Sequence, residues 1–362
     1  MLQPASEEEL AAAVRECAAR KRPLHTIGGG TKLHHGPAPA PEAETACLLG
    51  LGRITAHEPG DLVVSAQAGM RLADLQAALA PHRQWLPLDP PCAGATIGGI
   101  LATHGSGPRR LGYGTMRDLV LGLRVAGADG RVTRSGGRVV KNVAGVDLHK
   151  LHIGAFGTLG VIVEASLRLR PLPEVSAAAV FPCGSFEEAL RLLLEIGASP
   201  MRPVALEAHD GRAIVGLEGS RPVYERHLRD LRRLGRPFEA AEDGKIWEEL
   251  REPPAGFVRV RVGARPHDLP KLVPPGEHRR AHAGNGIARV DLPPAPDLPE
   301  RIAEWNARAA ALGGYAVCES APPDCPGRGR LPWGPPPDPL TKAVRAARDP
   351  DGILNRGRMV AG

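Results

Sequence analysis

Aromatic residues are scarce in this 362-residue chain: 5 Phe, 3 Tyr and 4 Trp amount to 3% of it. Proteins that bind nucleic acid concentrate basic residues and interleave them with rings for stacking. Neither pattern is present, because the 46 basic residues include only 7 Lys and the Arg are dispersed. The tightest doublets, Arg109-Arg110, Arg232-Arg233 and Arg279-Arg280, lie far apart in the sequence. The net charge of +6 therefore does not mark a nucleic-acid footprint. Cysteine is sparse as well. Cys17, Cys47, Cys92, Cys183, Cys318 and Cys325 are irregularly spaced and form no C-x-x-C, so no iron–sulfur or zinc motif is present. They read as separate thiols of a reducing compartment. No apolar run approaches the ~18 residues that a membrane span needs, and the first residues lack a leader's apolar core. No transmembrane segment and a cytoplasmic location are expected.

Glycine and proline, by contrast, are plentiful at 44 and 37 residues. With 43% hydrophobic and 24% charged residues the chain sits in the ordinary globular range. Its length suggests about two domains. Ser6 and Glu9 form a capping-box pattern ahead of a helix over 6–22, and Pro23 closes it. Strands are predicted at 24–27, 48–51 and 61–67, and a helix at 71–80. A hairpin is predicted around Gly127-Ala128-Asp129-Gly130. Residues 159–170 alternate apolar and polar, which predicts a strand with one wet face. Beyond Pro173 the texture changes. Helices are expected at 186–196, 224–234, 299–312 and 341–348, and strands at 204–208, 213–217 and 257–262. The Pro-rich stretch 321–339 is expected to be a long ordered loop or a linker. The division expected is 1–173, 174–340 and a tail, 341–362.

The N-terminal half carries glycine at particular places. Gly28-Gly29-Gly30-Thr31-Lys32 directly follows a predicted strand, so its backbone can turn sharply and aim successive N–H groups at one anion. Alone, such a run is more often a turn than a ligand site. Neither G-x-x-x-x-G-K-[ST] nor G-x-G-x-x-G occurs, which excludes a Walker loop and argues against a Rossmann dinucleotide site. Further segments add weight: Thr96-Ile97-Gly98-Gly99, His104-Gly105-Ser106-Gly107, and Gly154 to Gly160. So many loops without side chains suit a long, flat, phosphate-bearing ligand that backbone must approach closely.

The order of these motifs resembles the PCMH-type (vanillyl-alcohol-oxidase type) FAD-binding family. It runs G-G-G-T-K, then P-x-D-P-P-x-x-G-A-T-I-G-G (87–99), then G-S-G-x-x-R-x-G-Y-G-x-x-R-D (105–118). After these comes K-N-V-A-G-x-D-L-x-K-L-x-x-G-x-x-G-T-L-G-V-I (141–162). Near the end, 349–358 resembles the family's D-P-x-x-I-x-N-P-G-R, with Arg356 in place of Pro. Within the family the chain most resembles the FAD-binding subunit of bacterial glycolate oxidase, strongly over about the first 170 residues.

The resemblance implies an α+β fold: two subdomains clasping FAD and a smaller α/β cap domain, with the tail returning beside the cofactor. It places Gly28, Gly29, Gly30, Thr31 and Lys32 at the pyrophosphate. Thr96, Ile97, Gly98 and Gly99 fall along the pyrophosphate and ribityl chain, and His104, Gly105, Ser106 and Gly107 near the flavin. Leu159, Gly160, Val161 and Ile162 meet the flavin or adenine, and Asn355 lies near the isoalloxazine. His34 and His35 read as exposed loop residues, so the FAD is expected to be non-covalent. The resemblance also implies partners, a larger FAD-containing subunit and an iron–sulfur subunit, with contact to the inner face of the cell membrane through them. The activity implied is oxidation of glycolate or a similar 2-hydroxy acid. No metal is expected. His282-Ala283-Gly284-Asn285-Gly286 resembles an incomplete H-x-G-D-G-N-x-H element, with Asn285 where the Asp belongs, and reads as a loop turn. The chemistry needs a base and a cation for the carboxylate. His104 and His282 are the candidate bases.

Overall fold

The computed structural model describes residues 1–90, 92–138, 146–241, 245–250, 256–274, 278–335 and 337–358. The K-N-V-A-G segment at 141–145 lies outside them. The first helix is Glu7–Ala19. Its Ser6 hydroxyl accepts from the Glu9 N–H at 3.2 Å, and the Glu9 carboxylate accepts from the Ala5 N–H at 2.8 Å. Leu10, Val14 and Cys17 recur at helical spacing and are buried. Leu24–Ile27 then pairs in parallel with Glu44–Cys47.

A five-stranded antiparallel sheet follows, in the order Ile54–Glu58, Val63–Gln67, Val161–Arg168, Val120–Ala126, Val132–Gly136. Val120–Ala126 and Val132–Gly136 make the expected hairpin. Val161–Arg168 is the central strand, and six of its eight residues are buried. The expected wet face is therefore wrong, since neighbours on both sides and cores above and below leave little of this strand to solvent. Residues 48–51 are not a strand either. The strand ends at Cys47, and Leu48–Gly50 is a 3₁₀ turn that carries Leu48 and Leu51 inward.

The second sheet is all antiparallel and has eight strands: Glu239–Ala241, Val175–Pro182, Arg212–Gly219, Ala205–His209, Arg279–His282, Ile287–Leu292, Val258–Gly263, Tyr315–Ser320. Alternation along its strands splits the residues between two faces. Ala208, Ala281, Ala288, Val290, Val260 and Val262 join Leu190, Leu193, Ile302 and Trp305 of helices Phe186–Ala198 and Leu298–Ala310 in one apolar core. Glu207, His282, Arg280, Arg289 and Arg261 occupy the intervening positions and line a chamber. The Pro-rich stretch is ordered by Arg328, which donates to the Gly36 carbonyl at 3.0 Å and stacks on Trp333. Helices on two antiparallel sheets make this an α+β fold.

Candidate functional site

Two cavities meet on one side of the molecule. A narrow cleft of about 100 Å³ runs along Gly28–Lys32, Thr96, Gly98, Gly99, Val161, Ile162 and Asn355. A chamber of about 530 Å³ adjoins it and shares Lys32, Thr103 and Phe156 as walls. His104, Gly105, Ser106 and Gly107 line the chamber, so most of the sequence-predicted residues face one space or the other. Ile97, Leu159 and Gly160 line neither. Ile97 is fully buried in the core beneath the cleft, Leu159 is buried, and Gly160 packs against Val125 and His152.

The cleft is built mainly from backbone. A Cβ on Gly28 would sit 2.2 Å from Thr96 Oγ1, and one on Gly29 would sit 2.0 Å from the Gly94 carbonyl oxygen, so side chains are excluded there. Among the described residues, the N–H groups of Gly29, Gly30 and Thr31 donate to no backbone acceptor. Unspent N–H donors on a glycine loop, beside one lysine, fit a pyrophosphate. Asn355 lines the cleft and braces its walls. Its Oδ1 accepts from the Thr26 N–H at 2.8 Å, and its Nδ2 donates to Thr26 Oγ1 at 3.0 Å and to the Phe156 carbonyl at 2.8 Å. The amide is thus spent on holding the cleft walls together. Arg358 supports the loop from below, donating to the carbonyls of Lys32, Leu33 and Pro37.

The chamber is built from charged side chains. His282 ends a strand, and only the residues after it form the expected turn, Ala283–Asn285 with Gly286 at φ 64°. Its Nδ1 lies 2.6 and 2.7 Å from the two Glu207 oxygens, and its Nε2 lies 2.6 Å from Arg289 Nη1. The guanidinium has only N–H to offer, so Nε2 must accept and Nδ1 must carry the proton that goes to Glu207. Burial, and then the Arg289 charge, hold His282 well below the usual histidine range, in its neutral form. Burial likewise pushes Glu207 up. Arg289 also donates Nε to Glu319 at 2.7 Å, and that pairing holds Glu319 well below the usual carboxylate range despite its burial. Arg261 donates to the Tyr315 hydroxyl, and Arg110 to Ser106 Oγ.

His104 sits at φ 49° with its Nε2 3.1 Å from Thr115 Oγ1. Burial and then the neighbouring Arg110 lower its pKa. His35 is not an exposed loop residue, because it lines the chamber and burial takes its pKa down to about 3. Asp89 lines the chamber floor, and burial raises it to about 6 although Arg109 stands 3.7 Å away. Arg109 itself ties the loop at Asp89 to the second sheet. It pairs with Glu218 at 2.7 Å and lies between the rings of Trp85 and Trp247.

Sequence reading missed Glu207, Arg261, Arg289 and Glu319. The available signal was charge at alternate positions of apolar strands, as in Val258-Arg259-Val260-Arg261-Val262, which marks a face that is polar for a reason other than packing.

Comparison with known proteins fits this geometry. The FAD binding domain family matches residues 1–136. The chain is 32% identical over 356 residues to the glycolate oxidase subunit GlcE of Escherichia coli (strain K12), covering 96% of this chain and 95% of that protein. It is 34% identical over 320 residues to a D-lactate dehydrogenase of Archaeoglobus fulgidus, covering 86% and 69%. Among solved structures, alkyldihydroxyacetonephosphate synthase shares the fold with a TM-score of 0.71 at 17% identity, covering 98% of this chain and 76% of that one. The cleft of unspent backbone donors and these relatives lead to one conclusion: the chain belongs to the PCMH-type FAD-binding oxidoreductases, and its cofactor is FAD.

Proposed function

We propose that this chain is the FAD-binding subunit of a glycolate-oxidase-type assembly that oxidises glycolate or a similar 2-hydroxy acid to the 2-oxo acid. The observation that carries the reading is the chamber, where guanidinium groups and neutral imidazoles adjoin the cleft at Lys32, Thr103 and Phe156. Gly28–Lys32 and Thr96–Gly99 would hold the pyrophosphate end of FAD, and His104–Gly107 would border its reactive end. When bound, FAD supplies the two-electron acceptor. Arginine is suited to grip a carboxylate, and a neutral histidine can take a hydroxyl proton. His104 and His282 are the candidates for that proton. None of the six cysteines forms a disulfide and, among the described residues, no cluster of metal-ligating side chains occurs. Onward electrons are proposed to leave through the larger flavoprotein subunit and the iron–sulfur subunit.

No helix among the described residues is long and apolar enough to cross a membrane. We place the assembly in the cytoplasm, touching the inner face of the cell membrane through its partners.

The test is anaerobic titration of the FAD-loaded chain, alone and with partner subunits, with glycolate and D-lactate. Bleaching of the flavin absorbance is expected, and failure of both acids in both forms overturns the reading. A second reading, a non-catalytic FAD-bearing assembly or relay subunit, is favoured by one observation: both His282 nitrogens are engaged. Normal photoreduction without any response to hydroxy acids in the full assembly selects it. Turnover by the chain alone with a dye acceptor selects a self-sufficient dehydrogenase instead.

A further inference from the structure

Arginines stand side by side in the chamber wall. Across three adjacent strands Arg280 is directly paired with Arg289, and Arg289 directly with Arg261. Residues paired in this way share a face, and like charges placed so are destabilising. The row therefore costs the fold stability, which points to a ligand that repays it.

The charges can be followed one by one. Arg289 is neutralised by Glu319. Arg280 lies in the field of Asp291 and Asp210. Lys32 donates to Thr103 Oγ1 and borders the cleft as well as the chamber, so it falls to the cofactor. That leaves Arg110 and Arg261. Their partners are neutral hydroxyls, Ser106 Oγ at 3.1 Å and Tyr315 OH at 2.9 Å, and among the described residues neither has a carboxylate within ion-pair distance. Arg110 Nε is buried with no hydrogen-bond partner at all. Burial, and then the charges of Arg289 and Arg261, disfavour the Arg110 cation. The remaining chamber acids do not offset the pair. Asp89 is committed to Arg109, burial pushes Glu207 toward its neutral form, and exposed Asp338 caps the helix Pro339–Arg348.

We propose that the chamber takes a 2-hydroxy acid carrying a second anionic group, a hydroxydicarboxylate, with one carboxylate each for Arg110 and Arg261. The inference rests on the hydroxy-acid reading above and narrows it. A monocarboxylate such as glycolate would leave one of the two chamber guanidiniums without a counter-charge, whereas a dicarboxylate satisfies both.

The test separates binding from turnover. Acetate, malonate and succinate lack the hydroxyl to be oxidised, so their affinities for the FAD-loaded chain can be measured by calorimetry and by perturbation of the flavin spectrum. The better dicarboxylate is expected to bind about ten-fold or more tightly than acetate, as one added charge-assisted contact provides. Arg110→Gln and Arg261→Gln should each remove that advantage, and at least one should leave acetate binding within about two-fold of its original value. FAD content and thermal melting establish that each variant is folded. Where a Gln variant does not fold, the Lys variant at the same position, which keeps the charge, replaces it and should retain part of the advantage. Equal binding of mono- and dicarboxylates, or an advantage that survives undiminished in the charge-removing Gln variants, overturns the proposal. Tartronate and glycolate then address the parent reading. If neither bleaches the flavin, oxidation of hydroxy acids fails, and the carboxylate affinities still decide the charge count.

Discussion

The cleft and the chamber share walls but are made by opposite means. The cleft is backbone. Its glycine loops bring N–H groups forward, and one amide, Asn355, ties three segments across it. The chamber is side chain. Its charges come from positions as distant as Asp89 and Glu319, and burial makes each depend on the next. A backbone site tolerates changes in charge but no added atoms, whereas a side-chain site tolerates changes in volume but no lost partner.

The strongest way to break that contrast is Arg289→Met. The substitution strands Glu319 and removes the donor to His282 Nε2, and a buried pair broken on one side costs about 3–5 kcal/mol. Urea unfolding should show that loss, while the protein still binds FAD at low temperature. Loss of FAD binding with stability unchanged would reverse the assignment of roles.

Next in size is a pair of pH effects with opposite signs. His25 lines the cleft, and burial lowers its pKa to about 4. Its native state resists protonation, so its stability contribution is complete above pH 6.5 and is lost as pH falls toward 4. Asp89 lines the chamber with a pKa near 6. Its native state resists ionisation, so its contribution is complete below about pH 4 and is lost as pH rises through 6. Each amounts to about 2–3 kcal/mol. In thermal melts across pH 4–6 the rise of stability with pH should become shallower in His25→Gln and steeper in Asp89→Asn. The same slope change in both variants would contradict the signs.

Smaller again is Gly29→Ala. Its Cβ would meet the Gly94 carbonyl at 2.0 Å, so the loop must shift. FAD affinity should fall by about ten-fold or more, roughly 1–3 kcal/mol. The carboxylate affinities of whatever fraction retains cofactor should stay put. Equal losses in both would mean that the two cavities form one unit.

The same contrast explains what could be read from the sequence. Gly28–Lys32 and Thr96–Gly99 are contiguous, and backbone function leaves a contiguous trace. The Ser6 cap and the hairpin at 127–130 are local in the same way, and the structure forms both, although Glu9 reaches the Ala5 N–H rather than that of Ser6. Glu207 meets His282 only because antiparallel pairing places them opposite each other, 75 residues apart. Residues 159–170 looked half wet because Glu164 and Arg168 alternate with apolar neighbours. Nothing local announces that sheets and helices cover both sides. His34 and His35 looked exposed because they follow a glycine loop, but Gly36 and Ala321 anchor that loop against the last strand of the second sheet.

The backbone of Leu24 donates to the Ile353 carbonyl and accepts from the Asn355 N–H, and Asn355 reaches Thr26 across 329 positions. A ribosome releases Leu24–Ile27 long before residue 355 exists. During synthesis the glycine loop therefore waits with one wall missing, and the cofactor pocket is among the last parts of the molecule to close. Contacts of such long range are slow to form. The last wall of the cleft is thus supplied by the far end of the chain, whose Asn355 amide ties Thr26 to the Phe156 carbonyl.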